Sequence, residues 1–221
     1  MKIITIATQK GGAGKTTLAT NLATASAKKG LLTLIIDADN QKTAINWFKK
    51  RDNQENPLVI AANDQATLEK LFSIAKTNKI ERIFIDTQGA DSELVKFSVL
   101  HSDFILIPCS SGGFDVESQF TTAAAILKAE KQAAFIITKT ASRGQELAET
   151  KAILTGLNIP VSEHKTTLLK AYKDAALLGQ GVIESEPKGK AATEITSLFE
   201  WLEKKLKKNP LLENLKNESK K

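Results

Sequence analysis

Apolar residues along this chain follow two rhythms. Short continuous runs rich in β-branched residues alternate with longer stretches in which Leu, Ala and Phe recur every third or fourth position. The short runs are Ile3–Ala7, Leu31–Ile36, Leu58–Ala61, Arg82–Ile85, Phe104–Ile107, Ala134–Thr138 and Ile159–Val161. Being continuous rather than alternating, they predict strands covered on both faces, as in a parallel sheet. The second rhythm predicts helices over Thr17–Lys29, Thr43–Lys50, Thr67–Lys76, Glu93–Leu100, Ser118–Lys131, Gln145–Leu154, Leu168–Leu178 and Ala191–Leu206. Gly30 is expected to close the first helix, and Pro108 to stop the fifth strand. Strand and helix alternate throughout, and no internal repeat interrupts them. The fold class expected is therefore α/β: a doubly wound, mostly parallel sheet with helices on both faces. One domain over 1–206 and a basic tail over 207–221 account for the chain.

Composition narrows the class. A length of 221 residues suits one well-cored domain, and 42% hydrophobic with 25% charged residues is ordinary for a globular protein. The net charge of +6 favours anionic partners, either nucleic acid or an acidic membrane surface, unless it is only a solvated lysine-rich face. The single cysteine, Cys109, excludes an internal disulfide and a cysteine-rich metal cage, and reads as a small buried hydrophobe. His101 and His164 lack metal-ligand spacing and read as structural or surface residues. No apolar run approaches about 18 residues and no signal-peptide pattern is present, so a cytoplasmic protein is expected.

The chemistry concentrates at Gln9-Lys10-Gly11-Gly12-Ala13-Gly14-Lys15-Thr16-Thr17, between the first strand and the first helix. Glycines let the backbone turn so that N–H groups point inward, and the helix adds its positive end to the same spot. Gly11, Gly12, Ala13, Gly14 and Thr17 would cradle phosphates, Lys15 would reach the β/γ-phosphates, and the Thr16 hydroxyl would hold Mg²⁺. The cofactors expected are ATP and Mg²⁺. Asp37, Asp39, Asp86 and Thr138 fall at the ends of other predicted strands, the edge where such sheets bind ligands. Asp86 is the natural carboxylate for the Mg²⁺ shell, acting through water because Mg²⁺ keeps most of its hydration.

The compact Lys10-Gly11-Gly12-Ala13-Gly14-Lys15-Thr16-Thr17 resembles the deviant Walker A motif, K-G-G-x-G-K-T-T, of the ParA/MinD family of ATPases. The resemblance covers the chain from Met1 to about Leu206, with its motifs concentrated in the first half. It implies that Lys10 crosses a dimer interface to contact phosphates bound to the other subunit. Asp37-Ala38-Asp39-Asn40-Gln41 is similar to the family's D-x-D-P-Q, with Asn40 where proline usually stands. By that resemblance Asp39 organises the hydrolytic water and Mg²⁺, while Asp37 orders the loop; as plain sequence both could be turn residues. Asp86-Thr87-Gln88-Gly89 resembles the segment that distinguishes ATP from ADP, with the Gly89 N–H near the γ-phosphate, or else Gly89 is a turn glycine. Trp47 is expected to pack. Phe114-Asp115 resembles an interface helix, Thr138 stands where relatives contact the purine, and Val182–Pro187 resembles a loop covering adenine, which adds Pro187 to the cofactor-binding set.

Absences sort the branches of the family. One cysteine disfavours iron–sulfur relatives, and Tyr172, the only tyrosine, disfavours those ending in a tyrosine cluster. Pro210 interrupts the leucine–lysine tail and no aromatic follows Trp201, which disfavours a membrane anchor. The leading expectation is a homodimer formed with ATP that binds DNA non-specifically and drives plasmid or chromosome partition. Arg143, Lys165, Lys170, Lys173, Lys188, Lys190, Lys204 and Lys205 are the candidate phosphate contacts on DNA. The first strand follows Met1 directly, leaving no room for a helix-turn-helix, so sequence recognition is expected of a ParB-like adaptor protein. A conjugation-associated branch fits the motifs equally well. A metabolic P-loop ligase or kinase is the alternative from another class, and would not need Lys10 in trans.

Overall fold

The computed structural model describes residues 1–52, 55–89, 92–111, 113–140 and 145–207, without the side chains of 113–118 and 145. Six of the seven apolar runs form the sheet: β1 (Lys2–Ile6), β2 (Thr33–Ala38), β3 (Leu58–Ala61), β4 (Arg82–Thr87), β5 (Phe104–Ser110) and β6 (Ala133–Thr138). All pair in parallel, in the order β3-β2-β4-β1-β5-β6. Between them run α1 (Lys15–Lys28), α2 (Thr43–Phe48), α3 (Gln65–Thr77), α4 (Glu93–Leu100) and α5 (Gly113–Lys128), and α6 (Gln145–Thr155) follows β6. After β6 and α6 come α7 (Lys170–Leu177), the short α8 (Val182–Ser185) and α9 (Lys190–Lys207). Asp64 caps α3 by accepting from the Thr67 N–H at 2.7 Å, and Ser92 caps α4 by accepting from Val95.

The strands' period of two divides the core between the sheet's faces. Ile4, Ile6, Ile35, Phe84, Leu106 and Ile136 face one way and pack with Leu18, Leu22, Ile195 and Leu198 from α1 and α9. Their neighbours Ile105, Ile107, Phe135 and Ile137 face the other way, toward Ala123 and Ile126 of α5. Leu34, Ile36, Ile83 and Ile85 meet Leu68 and Leu71 of α3 on that same side. Burial on both faces is why each run is apolar at every position.

Two expectations need correction. Pro108 does not stop β5, which continues to Ser110 paired with β6. Leu106 bonds toward β1, its carbonyl accepting from the Ala7 N–H at 3.0 Å, and Pro108 faces the same side. Beyond Ala7 the chain has left the sheet for the glycine loop, so the missing N–H of Pro108 costs no ladder bond. Ile159–Val161 is the converse case and forms only an isolated bridge, Val161 with Phe135. Pro160 accepts from the Phe135 N–H at 2.9 Å but has no N–H with which to extend the ladder.

Trp47 packs into the main core, as expected, and also ties α2 to the segment between α7 and α8. Its indole N–H donates to the Gln180 carbonyl at 3.2 Å, and the Arg51 guanidinium lies 4.7 Å from its ring centroid. Arg51, with a side chain only 1% exposed, donates to Glu184 at 2.8 Å and to the Gly179 carbonyl at 2.9 Å. Gly179 has φ +66°, and a Cβ there would stand 2.7 Å from the Lys50 carbonyl carbon. Gly179→Ala should therefore destabilise the fold by about 2–4 kcal/mol through strain and backbone overlap. Urea titration checks this: the midpoint should fall with an unchanged slope.

Candidate functional site

Three neighbouring strands bring their ends together. Ile6 of β1, Asp86 of β4 and Asp37 of β2 are in register across the sheet. Alternation puts Asp86 on the face of Phe84 and Asp37 on the face of Ile35, the side that α1 covers. Both carboxylates thus project beneath the loop that leads into α1. That loop needs glycine where φ is positive, at Gly12 (+76°) and Gly14 (+95°). Gly14 occupies the N-cap with no side-chain cap on α1, so the first-turn N–H groups remain available to an anion. A Cβ at Gly11 or Gly12 would meet nothing within 4 Å, so the loop's outer side is open. Gly89 is the opposite: a Cβ there would lie 3.0 Å from the Gly11 nitrogen and 3.1 Å from the Gln9 carbonyl oxygen. The segment after β4 therefore rests directly on the glycine loop.

Charge is concentrated below. Lys15, 7% exposed, donates to the Lys10 carbonyl at 3.0 Å. Burial lowers its pKa, against the opposing pull of Asp86 and Asp39. Asp86 is fully buried and neither carboxylate oxygen has a hydrogen-bond partner. Its pKa is pushed up to about 7, chiefly by burial, with Thr16 and Lys15 opposing the rise and Asp37 and Asp39 favouring it. The Thr16 hydroxyl acts on this carboxylate at a geometry short of a formed hydrogen bond. Asp37 is differently employed. Its Oδ1 accepts from the Asp39 N–H at 3.1 Å and its Oδ2 from the Ile45 N–H at 3.0 Å, so it orders the turn into α2. Asp39 is half-buried, with Oδ1 accepting from the Gln41 N–H at 2.9 Å.

An orphaned buried carboxylate beside a threonine hydroxyl and a second carboxylate is a donor set suited to a hydrated hard cation. Asp86, Thr16 and Asp39 are the residues that would hold Mg²⁺. Among the described residues no group of three or more His, Cys, Asp or Glu is placed to hold a metal ion.

A cleft of about 470 Å³ lies over these groups, lined by Gly11, Gly12, Gly14, Lys15, Thr16, Asp39 and Gly89 among others. A second hollow of about 230 Å³ shares Gly14, Thr17 and Lys139 with it and is walled by Thr138, Tyr172 and the chain from Thr166 to Leu169. Thr138 is 2% exposed, and its hydroxyl donates to the Ala13 carbonyl at 2.8 Å, making it a support of the loop. Glu194 of α9 holds the 166–169 wall, accepting from the Thr167 N–H at 2.9 Å and from Tyr172 Oη at 3.1 Å. Burial, with Glu194 adding to it, raises the Tyr172 pKa above its ordinary value.

Pro187 lines neither hollow and is exposed. The segment expected to cover a base instead docks along the middle of α1. The Val182 N–H donates to Asn21 Oδ1 at 2.8 Å, and Gly181 sits against Thr24, where a Cβ would fall 2.1 Å from the hydroxyl oxygen. Val182 and Ile183 are thereby buried in the core. Sequence reasoning missed the 166–169 wall, Glu194 and Lys139; adjacent threonines before an amphipathic helix were the available signal for the wall. It also missed Gln119 and Thr122 of α5, which bond the loop's root through Thr8 Oγ1 and the Gln9 N–H. Of the proposed DNA contacts, Lys170, Lys173, Lys188, Lys190 and Lys204 are exposed, and Lys165 and Lys205 are half-buried. Arg143 lies outside the described residues, as do the side chains of Phe114 and Asp115 and the tail beyond Lys207. No helix among the described residues is long and apolar enough to cross a membrane.

A loop of this shape over paired strand-end carboxylates, on a six-stranded parallel sheet, defines a P-loop nucleotide-binding protein. Residues 4–180 match the CobQ/CobB/MinD/ParA nucleotide binding domain, and the chain belongs to that family. It is 26% identical over 205 residues to Protein ParA of Rhizobium radiobacter, covering 91% of this chain and 83% of that protein. It is 31% identical over 126 residues to Protein virC1 of Rhizobium rhizogenes, a match spanning 55% of this chain and about half, 54%, of virC1. The septum site-determining protein MinD of Pyrococcus horikoshii, solved with Mg-ADP, shares the fold at a TM-score of 0.71 and 18% identity, over 91% of this chain and 95% of that one.

The raised pKa of Asp86 has a measurable consequence in nucleotide- and Mg²⁺-free protein. The folded state holds a proton on Asp86 up to about pH 7, whereas the unfolded chain releases it near the ordinary carboxylate value of 3.8. Folding therefore binds the proton, and this group's share of stability falls as pH rises from about 4 to 7 and stays low above it. Asp86→Asn should raise the Tm at pH 8 by about 5 °C and flatten its fall between pH 5 and 8. Differential scanning calorimetry without Mg²⁺ checks both.

Proposed function

We propose that this chain is an ATP hydrolase that dimerises on binding Mg-ATP, binds DNA without sequence preference, and drives plasmid or chromosome partition with a ParB-like DNA-binding adaptor. The observation that carries the catalytic part is the partnerless Asp86 carboxylate beside Lys15, beneath an open glycine loop. Loop N–H groups and Lys15 bind the β/γ-phosphates, Asp86 and Thr16 hold Mg²⁺, and Asp39 positions water for attack on the γ-phosphate. Bound Mg²⁺ neutralises charge developing on the transferred phosphoryl group. The Mg-ADP complex of the Pyrococcus horikoshii relative supports the ligand set. Asp37 tethers the water-positioning turn to α2, and Gly89 is close enough to the loop to sense a γ-phosphate. In the second hollow, Thr17, Thr138 and the 166–169 wall would receive the nucleoside.

Partition is favoured by the likeness to ParA over most of both chains, and by the net charge of +6. Exposed lysines on α7, before α9 and along α9 form the non-specific DNA surface. Lys10 acts across the dimer, so that association reports bound ATP.

Gel-shift titration with random duplex DNA at low salt tests the proposal. Binding should need a non-hydrolysable ATP analogue and fail with ADP; failure with both nucleotides would overturn the partition reading. Lys15→Ala should abolish nucleotide binding, and Asp39→Ala should bind ATP normally while hydrolysing it about a hundredfold more slowly. Normal turnover in Asp39→Ala would remove that residue from the mechanism. In sedimentation runs, Lys10→Ala should lose most of its ATP-dependent dimer, and an unchanged dimer would place Lys10 outside the interface.

A further inference from the structure

Lys139 follows β6 directly and sits where the two hollows meet. We propose that it is a nucleotide-positioning residue that grips the α-phosphate, the one joined to the ribose. This rests on reading the two hollows as phosphate and nucleoside halves of one site.

Neighbouring residues at the end of β6 bond neighbouring carbonyls of the glycine loop. The Thr138 hydroxyl donates to Ala13 at 2.8 Å, and Lys139 Nζ donates to Gly12 at 2.5 Å. Their surroundings differ, since Thr138 is buried while Lys139 is exposed. The first is a buried brace; the second is an exposed cation at the end of a long side chain. The backbone is bent to put it there. Lys139 has φ +53°, a left-handed conformation that strains a non-glycine residue and tends to persist at functional sites. The turn brings the side chain onto the loop instead of continuing along the strand.

Position selects the phosphate. Lys15 opens α1 and lies beneath the loop, beside Asp86 and Asp39, where the terminal phosphates and Mg²⁺ belong. Lys139 instead shares Gly14 and Thr17 with the hollow walled by Thr138 and residues 166–169. A nucleotide spanning both hollows passes this junction with its α-phosphate. Moving Nζ from the neutral Gly12 carbonyl to a phosphate oxygen gains a charge-assisted hydrogen bond. The carbonyl it leaves belongs to an exposed residue, so water can replace the lost donor.

Calorimetric titration of the full chain with ADP and with a non-hydrolysable ATP analogue, each with Mg²⁺, tests the assignment. Lys139→Asn keeps a residue type that tolerates the left-handed backbone, so its nucleotide-free Tm should match or exceed that of the parent. It should weaken both nucleotides by the same factor, about 10–100-fold, because both carry the α-phosphate. Lys139→Arg should stay within about threefold of the parent, since the charge and donor are retained. Unchanged affinity in Lys139→Asn would overturn the role, and a loss confined to the triphosphate would move the amine to the γ-phosphate and overturn it too. A parent that binds neither nucleotide would instead refute the site itself, and the role of Lys139 with it.

Discussion

A buried carboxylate with no hydrogen bond to either oxygen stands beside a lysine that has borrowed a backbone carbonyl. Leaving such groups uncompensated costs free energy, and folding alone does not remove the cost. Asp86 and Lys15 are held together because β4 and β1 are in register through Ile6 and Asp86, and because α1 begins at Lys15 directly above them. A polyphosphate with a divalent cation would satisfy both at once, with negative charge for the ammonium and positive charge for the carboxylate. The sheet order, the glycine turns and the contact of Gly89 together hold this carboxylate and lysine side by side beneath the loop.

From that pair two mechanical connections lead outward. One runs through Asp37, whose carboxylate holds the Ile45 N–H at the start of α2, and then through Trp47 and Arg51 to Gly179, Gln180 and Glu184. The other runs through the loop's root, where Thr8 and Gln9 bond Gln119 and Thr122 of α5. Both use buried polar groups with defined partners, and such networks shift between discrete arrangements more readily than they deform. The Asp37–Gln41 turn is thereby joined through α2 to the segment between α7 and α8. Physical contact of this kind makes coupling possible; its size depends on the equilibrium each ligand biases.

What could be read from the chain alone was whatever depends on near neighbours. Six strands followed from continuous apolar runs, because a strand covered on both faces must be apolar at every position. The phosphate loop followed from glycines and Lys15 at fixed spacing, and Asp37, Asp39 and Asp86 from standing at the ends of such runs. The lone Cys109 and Trp47 were placed in the core for the same local reason, and both are buried there.

The tertiary structure decided everything that turns on which distant segment lies alongside. Pro108 remains inside a strand only because β1 has already left that side of the sheet, whereas Pro160 ends a ladder because its neighbour is still present. Pro187 lies away from both hollows because Asn21 and Thr24 draw the preceding residues along α1, while the second hollow is walled by residues 166–169, held by Glu194 more than twenty residues away. Lys139 shows the limit most clearly. In the sequence it is one lysine among many; only a left-handed turn at the end of β6, 127 residues from the carbonyl it bonds, makes it part of the site. Periodicity and motif spacing encode contacts within a few residues, while register and packing choose among the long-range contacts that share those local patterns.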